Sequence, residues 1–271
     1  MPRRARLDAE LVRRGLAKSR GHAAELIAAG RVTLRGTVAS KAATAVDTDA
    51  PVVVLEDVDD PGYASRGAHK LVGALDEFRP LGLTVAGRRC LDAGASTGGF
   101  TDVLLREGAR QVVAADVGTG LLDWRLRTDE RVVVRDKTNV RHLTPEDIGG
   151  PVDVVVADLS FISLPLVLPA LVSCVTEDAD LLPMVKPQFE VGKKRVGAGG
   201  VVRDPLTRVD AVLGVIGAAA EVGLFPKDVV ASPLPGPSGN VEYFVWFRRG
   251  PALDPDDAAQ LVGSAVQKGP Q

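Results

Sequence analysis

The feature that most constrains the fold is a series of short apolar segments rich in Val, Ala and Leu, separated by stretches long enough to form helices. These segments cover residues 89–93, 111–115, 131–135, 152–157 and 181–185. Strands with near-continuous apolar sequence are buried on both faces, as in parallel sheets covered by helices. The pattern therefore predicts an α/β fold with a parallel sheet, preceded by a helix over about residues 67–78.

Two further apolar segments lie close together near the end of the chain, over residues 229–231 and 241–247. The Pro- and Gly-rich stretch between them cannot hold a helix, so we expect the two strands to pair antiparallel. A parallel sheet that ends in an antiparallel hairpin resembles the class I, Rossmann-like methyltransferase sheet. A dehydrogenase domain usually lacks the hairpin, which makes an oxidoreductase the least favoured function.

Charge is distributed unevenly along the chain. Residues 1–46 contain ten Lys or Arg and three acids, so they carry a net charge of +7, whereas the remainder carries −9. Within this basic segment, Leu7 and Leu11 recur at helical spacing, and Ser19 is placed to cap a second helix. A small basic module beside an acidic body predicts a separate polyanion-binding domain.

The basic segment resembles a known RNA-binding domain. Residues 6–36, RLDAELVRRGLAKSRGHAAELIAAGRVTLRG, are similar to the S4 domain, and the resemblance extends to residue 50. We expect an S4-like α+β domain at 1–60, a linker at 61–64, a methyltransferase domain at 65–250 and a C-terminal tail at 251–271. The resemblance implies docking on structured RNA, with contacts from Arg4, Arg6, Lys18, Arg20, Lys41, Arg66 and Lys193.

A loop of small residues follows the first strand of the larger domain, in the sequence Leu91-Asp-Ala-Gly-Ala-Ser-Thr-Gly-Gly-Phe100. Open α/β sheets bind ligands at such strand-to-helix loops, although a tight turn without a ligand is the alternative. Ser96 takes the place of the second Gly of a dinucleotide fingerprint. Asp92 would face a phosphate badly and an ammonium group well. The loop resembles the S-adenosylmethionine (AdoMet) loop of ribosomal RNA (rRNA) methyltransferases.

The residues expected to hold AdoMet lie in this loop and after the next two strands. Asp116 ends the second strand, where a carboxylate is placed to accept hydrogen bonds from ribose hydroxyls. Asp136 and Asn139 follow the third strand, where we expect them to reach the adenine of AdoMet. The full set is Asp92, Gly94, Ser96, Gly98, Gly99, Phe100, Asp116, Asp136 and Asn139. The three histidines share no metal-ligand spacing, so no metal site is predicted.

Four charged residues fall at the ends of predicted elements, at the edge where a ligand is expected: Lys70, Asp158, Lys186 and Glu242. A charged residue at the end of a buried strand is costly unless it is paired or functional. Each residue alone is best explained by a structural ion pair. Together, their order resembles the Lys–Asp–Lys–Glu tetrad of 2′-O-ribose RNA methyltransferases of the FtsJ/RrmJ type.

Longer motifs carry a closer resemblance. With its S4-like start and the stretches ADLSFISL, VKPQFEVGK and SPLPGPSGNVEYF, the chain resembles the TlyA family over almost its whole length. The resemblance implies AdoMet-dependent methylation of cytidine 2′-hydroxyls in 16S and/or 23S rRNA, within 30S and/or 50S subunits. A partly desolvated lysine near other cations can take the hydroxyl proton. Lys186 is therefore the expected base or orienting group, Asp158 its partner, and Lys70 and Glu242 the groups that orient the ribose.

Two other functions stay open from the sequence. One is a non-catalytic RNA-binding factor on a degenerate methyltransferase fold, which the intact tetrad and glycine loop disfavour. The other is a hemolysin, a name some family members carry, which would need membrane-spanning segments that the sequence does not show. No signal peptide follows the basic start, so we expect a cytoplasmic protein, and a monomer. Trp124 and Trp246 are expected in the core.

Overall fold

The computed structural model describes residues 4–17, 19–55 and 61–270 and divides the chain into two units, Met1–Gly62 and Tyr63–Gln271. The smaller unit contains β1 (Arg4–Arg6), α1 (Leu7–Arg13), α2 (Arg20–Ala28), β2 (Val32–Leu34), β3 (Thr37–Val38), β4 (Ala45–Asp47) and β5 (Val52–Val54). Strand β1 pairs with β4, and β2 lies between β3 and β5, all antiparallel. This is the small α+β unit expected from the basic segment.

The core of the smaller unit is built from the apolar residues that the sequence spaces at helical intervals. Leu7, Leu11 and Ile27 are buried against Val32 of β2. Ser19 caps α2, because its side chain accepts a hydrogen bond from the backbone N–H of His22, as predicted from the sequence. The cap and the buried stripe together explain why so short a segment forms two helices.

Helices and strands alternate through the larger unit. They are α3 (Ala68–Phe78), β6 (Arg89–Ala93), α4 (Gly99–Arg106), β7 (Gln111–Ala115), α5 (Trp124–Arg127), β8 (Val132–Arg135), β9 (Val152–Ala157), α6 (Leu168–Ser173), β10 (Val175–Val185), α7 (Pro187–Glu190), α8 (Pro205–Glu221), β11 (Leu224–Ala231), β12 (Tyr243–Arg249) and α9 (Pro255–Lys268). Short 3-10 helices occupy Arg79–Leu81, Val140–His142, Leu164–Leu166, Lys193–Arg195 and Ala198–Gly200.

The larger unit is organised around a seven-stranded sheet in the order β11-β12-β10-β9-β6-β7-β8. The strands from β10 to β8 are parallel, and β12 runs antiparallel to both β10 and β11. The class I methyltransferase type of sheet with a terminal antiparallel hairpin is thereby confirmed. The first strand, β6, lies in the middle, so the strand order reverses between β6 and β9. Open α/β sheets bind ligands at such a switch point, outside the carboxyl ends of the strands.

Both faces of the sheet are buried, which explains the near-continuous apolar strands. Leu91 and Val155 belong to a core cluster shared with α6, α8 and α9, while the neighbouring Cys90 and Val154 belong to a second cluster shared with α3 and α4. Successive strand residues point to opposite faces, so apolar residues are favoured on both faces of each strand. Among the described residues, no helix is long and apolar enough to cross a membrane.

Some element bounds differ from the sequence-based expectation. Strand β10 begins at Val175 rather than at residue 181, and β11 begins at Leu224 rather than at residue 229. In both strands the missed part carries polar residues or Pro226, and the register is interrupted there. An edge strand such as β11 tolerates Pro because one side needs no hydrogen bonds. The last strand begins at Tyr243, so Glu242 precedes it rather than beginning it.

Two other segments differ from what the sequence suggested. The segment after Gly250, expected as a C-terminal tail, contains α9, whose residues Val262 and Val266 join the core. Trp246 is buried as expected, but the expectation for Trp124 was wrong, because its side chain is 73% exposed. Leu126 of the same short helix takes the buried position instead.

Candidate active site

The carboxyl ends of the parallel strands bring several predicted residues into one row. Ala93 of β6 pairs with Ala157 of β9 and with Ala115 of β7, which in turn pairs with Arg135 of β8. The residue that follows each of these strand ends is therefore at the same edge: Asp158, Gly94, Asp116 and Asp136. Sheet register thus places one proposed catalytic residue beside three proposed cofactor residues.

The antiparallel strand brings the other catalytic candidates to this edge. Val185 at the end of β10 pairs with Tyr243 at the start of β12. Lys186 and Glu242 are the next residues beyond this pair, so both leave the sheet at one point. Asp158 follows β9, the parallel neighbour of β10. The fourth candidate, Lys70, lies on α3.

Lys186 and Asp158 form a close ion pair. The Nζ atom of Lys186 lies 2.6 Å from Oδ1 of Asp158. The same Nζ atom also donates a hydrogen bond of 3.1 Å to Oγ of Ser160. The Lys186 side chain is 8% exposed and that of Asp158 is 24% exposed. This pair therefore joins a buried lysine to a carboxylate that is partly exposed.

Lys70 and Glu242 form the second pair. The Nζ atom of Lys70 donates a hydrogen bond of 2.6 Å to Oε2 of Glu242. The Glu242 side chain is 1% exposed, and a Cβ atom placed on Gly236 would lie 2.5 Å from its Oε1. Glu242 is therefore enclosed by Lys70 on one side and by a glycine backbone on the other. The structure brings the four candidates together as two lysine–carboxylate pairs.

The glycine loop between β6 and α4 needs its small residues. A Cβ atom on Gly94, whose φ is +88°, would lie 2.7 Å from the backbone oxygen of Asp158. Gly98, with φ +97°, has the side chains of Leu122 and Leu126 where its Cβ would be, and a Cβ on Gly99 would lie 2.9 Å from the backbone nitrogen of Ala68. Glycine at these positions therefore lets the loop pack closely against its neighbours. The loop lies at the edge of the sheet where open α/β folds bind ligands.

Asp92 is the residue of this site whose chemistry is least satisfied. It is fully buried, and Oγ1 of Thr101 donates a hydrogen bond of 2.7 Å to its Oδ2. Within the described residues Oδ1 has no hydrogen-bond partner. Burial raises the pKa of Asp92 to about 7; the bond from Thr101 opposes this rise, and the negative charge of Asp158 adds to it. A buried carboxylate with one unpartnered oxygen favours a cationic ligand nearby.

Two further cofactor candidates, Asp116 and Asp136, accept hydrogen bonds at the same edge of the sheet. Asp116 accepts hydrogen bonds from the backbone N–H groups of Ser96 (2.8 Å) and Gly118 (2.7 Å), which fixes the glycine loop against β7. The neighbouring Arg127 guanidinium lowers the pKa of Asp136 and lies 2.9 Å from its Oδ2.

Two of the cofactor candidates have local structural roles. Asn139 caps the short helix Val140–His142 by accepting a hydrogen bond from the backbone N–H of Arg141. Phe100 is buried, with its ring 5.9 Å from that of Phe244. Its side chain therefore lies beneath the loop rather than at the exposed edge.

The predicted RNA-binding residues are mostly on the surface of their units. Arg6 and Arg20 share the buried carboxylate of Asp8, with nitrogen–oxygen distances of 2.9 and 3.0 Å. Both guanidinium side chains stay more than half exposed. Arg4 pairs with Asp47 at 3.2 Å. Lys41 and Arg66 are exposed, whereas Lys18 and the side chain of Lys193 lie outside the described residues.

Three residues near the tetrad were missed by sequence reasoning. Ser160 contacts Lys186, and Glu190 bonds to Ser163 and Leu164 beyond Asp158. Phe161 is 91% exposed with φ +63°, a backbone conformation that aromatic residues rarely adopt. Ser160 and Glu190 lie within the stretches ADLSFISL and VKPQFEVGK. The only signal for them was their place in these motifs, since periodicity does not mark them.

Comparisons with known proteins identify related families for both units of the chain. The FtsJ-like methyltransferase model matches residues 63–249, and the S4 domain model matches residues 5–52. The chain is 61% identical over 272 residues, covering 100% of both chains, to the 16S/23S rRNA (cytidine-2′-O)-methyltransferase TlyA of Mycobacterium tuberculosis. It is 36% identical over 186 residues to the 23S rRNA (cytidine-2′-O)-methyltransferase TlyA of Campylobacter jejuni, covering 68% of this chain and 70% of the relative.

A solved structure is similar over the whole chain. It is that of a hemolysin-named protein from Streptococcus thermophilus, with a TM-score of 0.76, 34% identity, and coverage of 99% of this chain and 97% of the other. The likeness covers both the S4 unit and the methyltransferase unit. Because the family models match and the identity to a TlyA protein extends over the full length, the chain belongs to the FtsJ-like methyltransferases and, within them, to the TlyA family.

Proposed function

We propose that this chain methylates the 2′-hydroxyl of cytidines in rRNA of the small ribosomal subunit, the large subunit or both. The observation that carries the proposal is the Lys186–Asp158 pair, at 2.6 Å, beside a glycine loop at the switch point of the sheet. Membership of the family makes AdoMet the cofactor. A ribose hydroxyl brought to this edge would meet a buried lysine and the methyl donor together.

The residues at the edge fit AdoMet. Oδ1 of Asp92 lacks a hydrogen-bond partner within the described residues, and AdoMet carries an ammonium group and a sulfonium that suit a buried carboxylate. The lack of a side chain at Gly94 lets the glycine loop lie against the Asp158 backbone, where a Cβ would be 2.7 Å from the oxygen. Asp116 stands in the same row, and its oxygens keep lone pairs for ribose hydroxyls. When bound, AdoMet supplies an activated methyl group.

The chain's own residues then position and deprotonate the hydroxyl. Methyl transfer is an in-line displacement, so the hydroxyl oxygen must be held on the line through the methyl carbon. In the proposed mechanism, Lys186 acts as the base or orienting group: it holds this oxygen and takes its proton as the oxygen gains the methyl group. Asp158 stabilises the resulting ammonium, because its Oδ1 is 2.6 Å away. Lys70 and Glu242, as a preformed pair, orient the ribose and set the local charge.

The RNA partner is supported by the first unit of the chain. The S4 match covers residues 5–52 and so includes most of the basic segment at residues 1–46. Phosphate contacts from exposed Arg and Lys side chains position a protein on RNA, and structured RNA is recognised largely by shape. The Mycobacterium tuberculosis relative is named for both 16S and 23S rRNA, and the Campylobacter jejuni relative for 23S only. We propose that the chain acts as a monomer on cytoplasmic ribosomal subunits.

Transfer of tritium from labelled AdoMet to isolated 30S and 50S subunits tests this function. We expect label in rRNA at the ribose of cytidine, and none with the Lys186→Ala variant. The labelled subunit identifies the substrate. Absence of label on both subunits, with AdoMet binding intact, would refute the proposed rRNA substrate. A red-cell lysis assay on the same preparation addresses the name that the Streptococcus thermophilus protein carries, and we expect no lysis.

A further inference from the structure

Two segments of the methyltransferase unit run beside each other at the active edge. One follows β9 and contains Asp158 and Ser160; the other follows β10 and begins with Lys186. The first contact between them is Lys186 with Asp158 and Ser160. Each segment carries its contribution on a loop or a single helical turn, so something must hold the two loops in register.

A second contact between the segments is made by Glu190, one turn after Lys186. Its Oε2 accepts a hydrogen bond of 2.6 Å from Oγ of Ser163, and its Oε1 accepts one of 3.0 Å from the backbone N–H of Leu164. Leu164 opens a 3-10 helix whose first N–H groups have no partner within that helix. Both carboxylate oxygens of Glu190 thus accept hydrogen bonds from the segment that carries Asp158.

The residues between the two contacts are held in an unusual conformation. Phe161 has a positive φ of +63°, and its ring lies 5.4 Å from that of Phe189. A bulky residue with positive φ persists only where neighbouring contacts hold the backbone. Since Glu190 fixes residues 163 and 164, and Lys186 contacts residues 158 and 160, the strained residue lies between two anchored points.

We propose that Glu190 is a positioning residue for methyl transfer: its carboxylate holds the Asp158–Leu164 segment so that Asp158 and Ser160 face Lys186. The inference rests on the proposed function for its rate measurement, but not for its structural measurement. In this role Glu190 acts on the loop and not directly on the substrate or the cofactor. Its effect is transmitted through Ser163 and Leu164, which gives the backbone of the catalytic aspartate a fixed place.

A set of matched variants tests the role. Glu190→Ala removes both contacts, and Ser163→Ala removes one. Glu190→Gln keeps an acceptor for Leu164 and a polar partner for the rotatable Ser163 hydroxyl, while it removes the charge. Glu221→Ala, which removes an exposed carboxylate at the end of α8, is the control for loss of negative charge. Glu190 and Ser163 border a cavity of about 250 Å³, so water can fill the space left by the truncated side chain.

The first readout is the single-turnover rate of methyl transfer to ribosomal subunits. We expect Glu190→Ala to lower it about 100-fold, as expected for a catalytic group displaced by about 1 Å, with the AdoMet Kd and the RNA KM unchanged. Glu190→Gln and Glu221→Ala should retain most of the rate. Ser163→Ala should lower it less, and the double variant should lose no more than Glu190→Ala, because the two side chains share one hydrogen bond.

The second readout is hydrogen exchange at the Leu164 amide, which needs no substrate. We expect faster exchange in Glu190→Ala than in the wild type or in Glu190→Gln. The positioning role would be overturned if Glu190→Ala transferred methyl groups and exchanged the Leu164 amide at wild-type rates. It would also be overturned if Glu190→Gln and Glu190→Ala lost the same amount of methyl-transfer activity. If Glu190→Ala does not fold, Ser163→Ala and Glu190→Gln decide the matter by the same criteria. If the wild type itself labels no rRNA, the proposed function fails, while the exchange experiment still tests the contact.

Discussion

Two lysine–carboxylate pairs meet at the edge of one sheet, and in each the nitrogen and the oxygen are 2.6 Å apart. In the Lys70–Glu242 pair the contact is a hydrogen bond, and the carboxylate is almost fully enclosed. In the Lys186–Asp158 pair the lysine donates its hydrogen bond to Ser160, and the carboxylate is about a quarter exposed. Equal distances therefore describe two different kinds of pair.

The two pairs therefore differ in the exposure of the carboxylate rather than in distance. A buried pair whose hydrogen bond is complete resists change, because removing one partner leaves an uncompensated charge. A pair whose carboxylate is partly exposed can be approached by a hydroxyl group of a substrate. We therefore expect Lys186 and Asp158 to govern the reaction rate, and Lys70 and Glu242 to govern mainly the stability of the site.

Lys186→Ala should have the largest effect, and on catalysis. Loss of a proton-accepting group costs about 100- to 10,000-fold in rate, so methyl transfer should fall by that amount. Thermal unfolding and AdoMet binding should change little, since Asp158 is partly exposed and can be solvated. Single-turnover kinetics and calorimetry measure both. A variant that transfers methyl groups at the wild-type rate while folded would remove Lys186 from the reactive pair.

Lys70→Ala should have the next largest effect, and on stability. It leaves the Glu242 carboxylate buried without its partner, which costs about 3–5 kcal/mol in the free energy of unfolding. The matched control is Lys70→Met combined with Glu242→Gln, which removes both charges and should recover most of that stability. Denaturant unfolding gives the values. If Lys70→Ala were as stable as the wild type yet inactive, the distinction between the two pairs would be lost.

Gly94→Ala should have a smaller effect on both stability and rate. The new Cβ would lie 2.7 Å from the backbone oxygen of Asp158 at a residue with positive φ, a strain of about 1–3 kcal/mol. Gly82→Ala is the control, because Gly82 has φ +100° with no atom within 4 Å of the added Cβ. Both variants should lose stability, but only Gly94→Ala should slow methyl transfer. Equal rates would show that Asp158 is not held through Gly94.

The sequence was sufficient to predict the central strands but not the interrupted ones. The bounds of β6, β7 and β9 agree with the predicted ranges, because most of their residues are apolar and buried on both faces. The beginnings of β10 and β11 were missed because Asp178, Pro226 and Asp228 break the apolar pattern. Helix α9 was missed although its apolar residues recur at helical spacing after the Asp254 cap.

The site was predictable only as a set of residues. The sequence indicated that Lys70, Asp158, Lys186 and Glu242 lie near the ends of predicted helices and strands. It did not indicate which lysine pairs with which carboxylate. The pairing depends on β12 running antiparallel beside β10, which places Glu242 next to Lys186. The contact of Lys186 with Ser160 and the two bonds of Glu190 depend on loop geometry, which has no periodic signal. Side-chain partners across loops are therefore what the structure adds.

Asp92 gives the smallest expected effect. Its carboxylate is fully buried, and its Oδ1 has no hydrogen-bond partner within the described residues. Because burial raises the pKa of Asp92 to about 7, the free site holds a proton below that pH. A cationic ligand favours the ionised form, so binding of AdoMet must release this proton. We expect the AdoMet Kd to increase by up to about tenfold for each pH unit below 7, and to level off above it. Calorimetry in buffers of different ionisation enthalpy would detect the proton, and Asp92→Asn should bind weakly at every pH without the slope. A Kd independent of pH from 5 to 8 would mean that Oδ1 of Asp92 does not face the cation of AdoMet.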